Sequence, residues 1–530
     1  MGLNQEESID FSIILKIANG EVIYRDFYHI YGYLGLYFNA AIFKIFHIAD
    51  IFIPRLVVSF FFALSSVFAY RIAIRFLPPF WALVAVLLGF SGLVAREHAY
   101  GHIFGFSGAM VALWGGLSYI HEKNTRKLGV AGLASGIAFA AQPLPVGVLS
   151  IFTLACLMTY HYFLRDNYKT PSSYIVCSLA ILFFPGIGII YFLWNGALEA
   201  YFLSFFSVFF GHEFHPDTYF FSYIPSIFPT ELFSANNFGE IKAILNKFLT
   251  QNLKWWLITI FFIAGTVYAV LNLYKNKQNN HYLSILFLSA FLMVFEIEKI
   301  LTPVSNSYMS LFPAYVLLIY FGIKINLNRY TKRLVQVMVF FLLLLYFIYS
   351  PMVYYFNFKK HAIPLNQKYA HNIKVMPYTH EIYKDATTFI RNNSGENDKI
   401  VVADYTYFFS LFSDRYNLYS DAFYTFYETS FHPMTKILPL SLKEQLQIED
   451  KIIKKIKKEK PTLAVIPTDF LTAENIERSL FLQYISNNWE NCMTTGDRSM
   501  KTVFDSSYIN ITIFCSSKNS NNFTNKKTLL

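Results

Sequence analysis

Residues 173–196, SYIVCSLAILFFPGIGIIYFLWNG, decide the fold, because they form an apolar segment without a charged side chain. A helix needs roughly 20 apolar residues to cross a bilayer. Similar segments recur over the first two thirds of the chain, and 55% of the 530 residues are hydrophobic. We therefore predict a polytopic α-helical membrane protein with about 10 transmembrane helices, at residues 51–76, 79–95, 103–121, 128–141, 145–163, 173–196, 254–274, 281–298, 308–325 and 333–356.

Positive charges cluster at alternate ends of these segments, and short cytoplasmic loops are enriched in lysine and arginine. The opposite connections, among them the long aromatic one at residues 197–253, are predicted to face outward, as is everything after residue 357. The net charge of +10 follows mainly from this topology, so a nucleic-acid-binding function has little support. The ends predicted to be cytoplasmic carry Arg71 and Arg75, Lys123 to Lys127, Arg165 and Lys169, Lys275 and Lys277, and Lys324 to Arg333.

The chain changes character after residue 357, where the hydrophobic runs shorten to strand length. This pattern predicts an outward-facing soluble α/β domain at residues 358–515, followed by a disordered tail at residues 516–530. Cys492 and Cys515 fall in this domain, where an oxidising compartment permits a disulfide. The predicted helices are 379–392, 441–460 and 472–485, and the predicted strands are 399–403, 463–466, 502–504 and 509–514.

The polar segment at residues 1–50, ahead of the transmembrane domain at 51–357, is the candidate site of chemistry. Glu6, Glu7 and Asp10 fall on a short predicted helix, with Asp10 one turn from Glu6 on the same face. Acidic residues at a helix N-terminus are also favoured by the helix dipole, so a solvated helix end is the alternative. Downstream lie Gly20, Tyr24-Arg25-Asp26-Phe27 and Gly32-Tyr33-Leu34.

This order of residues resembles the first outer loop of the GT-C superfamily of membrane glycosyltransferases, especially the bacterial relatives of aminoarabinose and protein mannosyl transferases. Those proteins typically have an Asp-Glu pair, a Gly, a Y-R-D-F-like turn and then G-P-L. This sequence differs at Glu6, where the family usually has Asp, and at Tyr33, where it has Pro. The family also usually has a transmembrane helix before the acidic pair, so two alternatives stay open: such a helix is encoded upstream of Met1, or the activity is impaired.

The resemblance implies a GT-C-like fold and an enzyme that moves a sugar from a polyprenyl-phosphate donor to a lipid, glycan or protein acceptor. The reaction would take place on the outer face of the cytoplasmic membrane. It needs a base for the acceptor hydroxyl or amine, and cations or a metal for the departing phosphate. Under this resemblance Glu6 is the candidate base and Glu7 the next candidate, with Asp10 as a supporting carboxylate and Glu97 as a second acid.

Candidate contacts to the donor phosphate follow from the same resemblance. Arg96 is suited to a two-pronged phosphate contact, with His98 as polar support, although interfacial anchoring is the alternative. Arg25 and Asp26 are further candidates, although an Arg-Asp pair that only fixes the turn between two surface helices is the favoured alternative for them. The remaining candidates are Gln142, Lys299 and Tyr308.

A divalent metal is compatible with this chemistry, but the sequence identifies no cofactor and no zinc site. The run from His212 to Asp217 is a weak metal candidate, because Pro216 breaks helical spacing. A basic amphipathic helix at Lys451 to Lys458 is predicted to present a solvated face, with lipid headgroup contact as the minority alternative.

Two other classes of function stay open. A transporter or lipid flippase would also be polytopic, but it usually places ionisable residues or broken helices near the bilayer midplane. A non-catalytic membrane protein derived from a truncated transferase, serving as a scaffold or an immunity-type protein, is compatible with the absence of a helix before Glu6.

Overall fold

The computed structural model describes most of the helical part of the chain and the centre of a C-terminal sheet. The described residues are 5–27, 29, 32–91, 100–164, 171–202, 239–241, 253–276, 279–301, 311–324, 363–365, 373–375, 386–395, 398–402, 416–417, 442–468, 471, 473–494 and 511–516.

Eleven helices are described before the sheet, and nine of them coincide with nine of the ten predicted apolar segments. The tenth segment, residues 333–356, lies outside the described residues. A π-helical turn at Pro143–Gly147 leads into α7. The helices are α1 Gln5–Ala18, α2 Leu34–Phe46, α3 Phe52–Ala73, α4 Pro79–Ser91, α5 Tyr100–Glu122, α6 Thr125–Ala141, α7 Val148–Leu164, α8 Pro171–Trp194, α9 Leu253–Lys275, α10 Asn280–Leu301 and α11 Leu311–Lys324.

Three helices in the described part of the chain are long and apolar enough to cross a membrane by length and composition: Phe52–Ala73, Ile103–Glu122 and Pro171–Trp194. In the second of these, 89% of the apolar window is buried, against 22% and 28% in the other two. Helix α5 is therefore central, while α3 and α8 are peripheral. Contiguous exposed apolar faces of this kind mark a surface for lipid; they include Leu56, Phe60 and Val67 on α3 and Leu179, Leu182 and Leu193 on α8.

Small residues allow α6 to pack closely against α5 and α8. A Cβ atom at Gly132 of α6 would lie 2.5 Å from the carbonyl oxygen of Cys177 on α8, and one at Gly136 would collide with the carbonyl oxygen of Ile181. On the α5 side, a Cβ atom at Gly108 would lie 2.7 Å from the carbonyl oxygen of Ala134. Close backbone approach through small residues is the usual way in which membrane helices associate.

The C-terminal region contains a five-stranded mixed sheet, which agrees with the predicted α/β character. The strand order is β4-β3-β5-β7-β6, with β3 parallel to β4 and β5, and β7 antiparallel to β5 and β6. A separate two-stranded sheet pairs β1 with β2. The strands are β1 Ile363–Leu365, β2 Ile373–Val375, β3 Lys399–Val402, β4 Tyr416–Asn417, β5 Leu463–Pro467, β6 Trp489–Thr494 and β7 Ile511–Ser516.

Helices cover both faces of the five-stranded sheet. Helices α12 Leu442–Glu459 and α14 Leu480–Asn488 pack on one face, and residues 386–392 pack on the other; α13 Ala473–Arg478 precedes α14. Val401 and Ala464 face the first layer, whereas Ile400 and Leu463 face the second. This alternation along each strand explains why β3 and β5 are apolar on both faces.

Several sequence predictions differ from these elements in detail. The single helix predicted at residues 472–485 is two helices, because Ser479 interrupts it and caps α14 by accepting a hydrogen bond from the Leu482 N–H. Strand β6 was not predicted, since its exposed positions are polar. Strand β7 extends to Ser516, one residue into the predicted tail. The strand predicted at residues 502–504 lies outside the described residues.

Cys492 and Cys515 form a disulfide with a Cα–Cα distance of 5.9 Å. Cys492 lies at a register shift between Asn491 and Met493 on β6, next to its antiparallel neighbour β7. The disulfide that the sequence permitted is therefore present, and it joins the last two strands of the sheet.

Candidate active site

The segment that follows α1 reverses the chain through a left-handed glycine. Gly20 has φ +94°, and its N–H donates to the Ile17 carbonyl, while the Glu21 N–H donates to the Lys16 carbonyl. These two bonds form the Schellman arrangement that ends a helix and satisfies its last carbonyl groups. The glycine predicted to lie between the acidic helix and the Y-R-D-F turn therefore serves to end α1 and start the turn.

Residues 24–27 form a tight turn with one strained position. Tyr24 has φ +71°, a conformation that is uncommon for a bulky residue. It is held there by an N–H bond of 2.8 Å to the Phe27 carbonyl. Its ring packs 5.2 Å from Phe192 and 5.3 Å from Tyr201, between ring centroids. Strain of this kind persists only where the surroundings fix it, and it is common at functional sites.

Arg25 and Asp26 form a two-pronged ion pair at the tip of the turn. Arg25 Nε lies 3.0 Å from Asp26 Oδ1, and Arg25 Nη2 lies 2.8 Å from Asp26 Oδ2. Asp26 Oδ2 also accepts a 2.7 Å bond from the Val22 N–H, which closes the turn from inside. The Arg25 side chain is 43% exposed and the Asp26 side chain 28% exposed, so the pair faces outward.

The charges around Asp26 set its protonation. Partial burial alone would raise the pKa of Asp26, but hydrogen bonds from Arg25 and the Val22 N–H, with the charges of Arg25 and Lys455, lower it below its ordinary value. The hydrogen bond to Asp26 raises the pKa of Arg25 above its already high ordinary value. The pair is therefore fully charged at neutral pH.

A lysine from the α/β domain also reaches this segment. Lys455 Nζ on α12 lies 3.2 Å from Glu21 Oε2, and the two side chains are 33% and 19% exposed. The α/β domain and the turn therefore lie on the same side of the membrane. Helix α2 has 13 residues and rises about 20 Å, less than the bilayer core. From the sequence, residues 29–48 either span the membrane or lie along its surface, and Lys44 with the break at 47–50 favours the surface, because little room is left for a turn between two spans. Both observations agree with the surface alternative.

Tyr33, which stands where the resembled family has proline, makes a specific contact with α8. The Tyr33 hydroxyl donates a 2.8 Å bond to the Phe184 carbonyl oxygen on α8. Gly188, one turn along α8, leaves space for that hydroxyl, and a Cβ atom there would collide with it. Tyr33 thus anchors to α8 the end of the segment between α1 and α2, residues 19–33, which we call the outer segment.

Gln142 lies beneath the same segment and is 2% exposed. It follows the last residue of α6, and a Cβ atom at Gly105 of α5 would lie 2.9 Å from its Oε1. Gly32 packs directly against the backbone of Ala140 and Ala141. The structure therefore brings Gln142 close to the outer segment, but in a buried position rather than on the surface that Arg25 occupies.

The structure describes only some of the acidic residues that the sequence predicted to be catalytic. Glu6 and Glu7 lie in the first turn of α1, and their side chains fall outside the described residues. Asp10 is partly exposed on the same helix. Lys299 lies on α10 without a described side chain. The candidates Arg96, Glu97, His98 and Tyr308 lie outside the described residues, as does the run from His212 to Asp217.

No group of three His, Cys, Asp or Glu side chains that could hold a metal ion occurs among the described residues. The described donor set of the turn is one carboxylate that already accepts hydrogen bonds from Arg25 and the Val22 N–H. These described residues do not fit a metal site.

Comparisons with known proteins give structural likeness at low identity. No protein-family model matches the sequence, and no curated protein matches it. ArnT from Cupriavidus metallidurans in the apo state is 11% identical, with a TM-score of 0.49 over 97% of this chain and 93% of that chain. Its structure bound to undecaprenyl phosphate is 13% identical, with a TM-score of 0.42 over 97% and 94%.

A second kind of neighbour is the Archaeoglobus fulgidus oligosaccharyltransferase in the apo form. It is 12% identical, with a TM-score of 0.48 over 91% of this chain and 67% of that chain. These neighbours are GT-C superfamily glycosyltransferases, the superfamily that the sequence resembles. At these identities and TM-scores the likeness by itself assigns no activity to the chain.

The sequence did not identify Glu21 or Lys455 as part of this site. The basic helix was predicted to present a solvated face, and Lys451, Lys454, Lys457 and Lys458 are indeed exposed. Lys455 differs because it points toward Glu21 across a separation of 434 residues. No local sequence signal distinguishes it from its neighbours on α12.

Proposed function

We propose that this protein is a membrane glycosyltransferase that transfers a sugar from a polyprenyl-phosphate donor to a lipid, glycan or protein acceptor. The observation that carries the proposal is the Arg25–Asp26 pair, which is presented on a strained, hydrogen-bonded turn beside the end of α8. Trp194 at that end is 89% exposed, and exposed aromatic residues at helix ends are typical of the membrane interface. A cation at the depth of the membrane interface can contact the phosphate group of a lipid.

Arg25 is the proposed phosphate contact. A guanidinium has five N–H donors in a fixed plane, and the pair with Asp26 uses one on Nε and one on Nη2. Its remaining donors would bind the donor phosphate and stabilise the negative charge that develops there when the sugar leaves. Asp26 fixes the orientation of the guanidinium.

Glu6 is the proposed base. It would take the proton of the acceptor hydroxyl as that oxygen attacks the anomeric carbon, and the polyprenyl phosphate would leave with the electron pair of the broken bond. Glu7 is the alternative base, with Asp10 and Glu97 as supporting acids.

The same proposal assigns the α/β domain to the outer face of the cytoplasmic membrane. The Cys492–Cys515 disulfide supports this placement, because disulfides persist in oxidising compartments. The contact between Lys455 and Glu21 supports the same assignment for the turn.

The test is sugar transfer in membrane vesicles with a radiolabelled polyprenyl-phosphate sugar, using Glu6→Gln and Glu7→Gln variants. We expect at least one of them to lose about 100-fold or more in rate, the usual contribution of a general base. Glu477→Gln, an exposed acid of the α/β domain, is the matched control. Full activity in both variants would remove these residues from catalysis, whereas substrate flux without transfer would favour a transporter or flippase.

A further inference from the structure

We propose that Lys455 is a positioning residue through which the α/β domain holds residues 20–27, the segment that includes the turn at residues 24–27, in its ordered conformation. The activity consequence rests on the proposed function, but the ordering itself does not. The 3.2 Å contact between Lys455 Nζ and Glu21 Oε2 joins two parts of the chain that are distant in sequence.

Lys455 lies on a rigid support. Ile452 and Ile456 of α12 are buried in the core of the α/β domain against Phe481 and Leu482. Glu449 Oε2 accepts a 3.1 Å bond from the Phe481 N–H, which fixes α12 to α14. A lysine on a helix held in this way loses less freedom when it forms an ion pair than one on a mobile loop.

Glu21 passes the contact to the ion pair at the tip of the turn. Its own N–H closes the end of α1, and the next residue, Val22, donates its N–H to Asp26. Asp26 in turn holds Arg25 through two hydrogen bonds. Lys455 is therefore connected to the Arg25 guanidinium through two ion pairs and one backbone N–H bond.

The other lysines of α12 serve as internal comparisons. Lys454 is 74% exposed and pairs with Asp450 one turn earlier on the same helix, at 2.6 Å. Lys457 lies over the Tyr484 ring of its own domain, 5.3 Å from the centroid. These lysines contact the α/β domain, whereas Lys455 contacts the turn. Exposed pairs such as Lys454–Asp450 contribute little to stability.

Hydrogen exchange of the full-length protein in detergent tests the ordering without any assay of activity. In Lys455→Gln we expect the amides of residues 20–27 to exchange about five-fold faster or more, because the half-buried pair is lost. Lys455→Arg keeps the charge and should retain protection, and the reversed pair Glu21→Lys with Lys455→Glu should restore it. Lys454→Gln is the matched control and should exchange as the unmodified protein does.

Sugar transfer provides the second readout. Lys455→Gln should raise the KM for the donor about five-fold while kcat changes less, because the phosphate contact is misplaced but the base is untouched. The reversed pair should bring KM back. Equal exchange in Lys455→Gln and Lys454→Gln, or faster exchange that the reversed pair does not correct, would overturn the proposal. Absence of transfer in the unmodified protein would instead count against the proposed function, and the exchange result would still decide the role of Lys455.

Discussion

The hydroxyl group of Tyr33 donates a 2.8 Å hydrogen bond to the carbonyl oxygen of Phe184, and Gly188 leaves the space that this hydroxyl occupies. The contact joins the outer segment to α8, whose other face is exposed and apolar. The ring centroids of Tyr33 and Phe192 also lie 5.2 Å apart, so both the hydroxyl and the ring of Tyr33 contact α8. At a position where the resembled family has proline, Tyr33 thus forms a specific contact with α8.

Gly188→Ala should destabilise the protein by about 1–3 kcal/mol, the usual cost of forcing extra volume into a packed site. The added Cβ atom would displace the Tyr33 hydroxyl and break its bond to Phe184. Thermal unfolding in detergent, followed by circular dichroism, measures the effect. The added cost should be much smaller in a Tyr33→Leu background, where the hydroxyl and the ring are gone.

Gly186→Ala is the matched control for this prediction. Gly186 lies on the same helix, two residues away, and a Cβ atom there meets nothing within 4 Å. Alanine is a better helix former than glycine by up to about 1 kcal/mol, so this variant should be neutral or slightly stabilising. Equal losses in the two variants would contradict the role given to Tyr33.

Asp26→Asn should lower stability at neutral pH and have a smaller effect in acid. The folded state holds the pKa of Asp26 below its ordinary value, so this carboxylate stabilises the fold at pH values above the unfolded pKa of about 3.9. The contribution is lost as the pH falls through the folded pKa. The difference in unfolding midpoint between Asp26→Asn and the unmodified protein should therefore be largest near pH 7 and shrink below about pH 4.

Arg25→Gln provides the companion measurement. Removing the guanidinium takes away the hydrogen bond that lowers the pKa of Asp26, so the pKa should move back toward its ordinary value. The acid limb of the stability curve should then shift to higher pH. An Asp26→Asn difference that stays constant from pH 7 to pH 3 would show that the carboxylate does not act through its charge.

Removal of the disulfide should destabilise the α/β domain. Cys492 and Cys515 are separated by 23 residues, and closing a loop of this length contributes about 3 kcal/mol in the chain-entropy model. Cys492→Ser combined with Cys515→Ser should lower the unfolding midpoint of the domain, and a reducing agent should have the same effect on the unmodified protein. Cys156→Ser, at an exposed free cysteine on α7, should leave the midpoint and its response to reductant unchanged.

Gly136→Ala should separate α6 from α8. The new Cβ atom would collide with the Ile181 carbonyl, a backbone atom that cannot move without shifting α8. Gly129→Ala on the same helix is the comparison, because its Cβ atom would lie 3.1 Å from a methyl group of Val176, the end of a side chain that can turn away. We expect a loss of about 1–3 kcal/mol at Gly136 and a smaller one at Gly129, measured by thermal unfolding in detergent.

The elements themselves were largely predictable because they depend on local patterns. The apolar run at residues 173–196 corresponds to α8, and the run at residues 463–466 corresponds to β5. Burial on both faces makes β5 continuously apolar, and the length needed to cross a bilayer makes α8 a long apolar run, so both patterns are visible in the sequence. Strand β6 was missed because Trp489 is its only buried residue and its exposed positions are polar.

The candidate site was predictable only where its residues are close in sequence. The turn at Tyr24 to Phe27 was identified from its resemblance to a family, and the structure adds the left-handed Tyr24 and the bond from Val22 to Asp26. The contact between Glu21 and Lys455 depends on how the α/β domain packs, which no local pattern encodes. Long-range ion pairs of this kind become visible only once both partners are placed.

The position of β7 has a consequence for how the molecule matures. Residues 511–516 insert between β5 and β6 and carry Cys515 of the disulfide. Because ribosomes synthesise a chain from its N-terminus, the sheet lacks one of its inner strands until this late segment has been made and delivered to the compartment that holds the domain. Helix α12 packs on that sheet, so the support of Lys455 is incomplete before then. A nascent protein would thus already have its membrane helices before residues 20–27 could form their contact with Lys455. Premature termination ahead of residue 511 would leave the helix that carries Lys455 on an incomplete sheet.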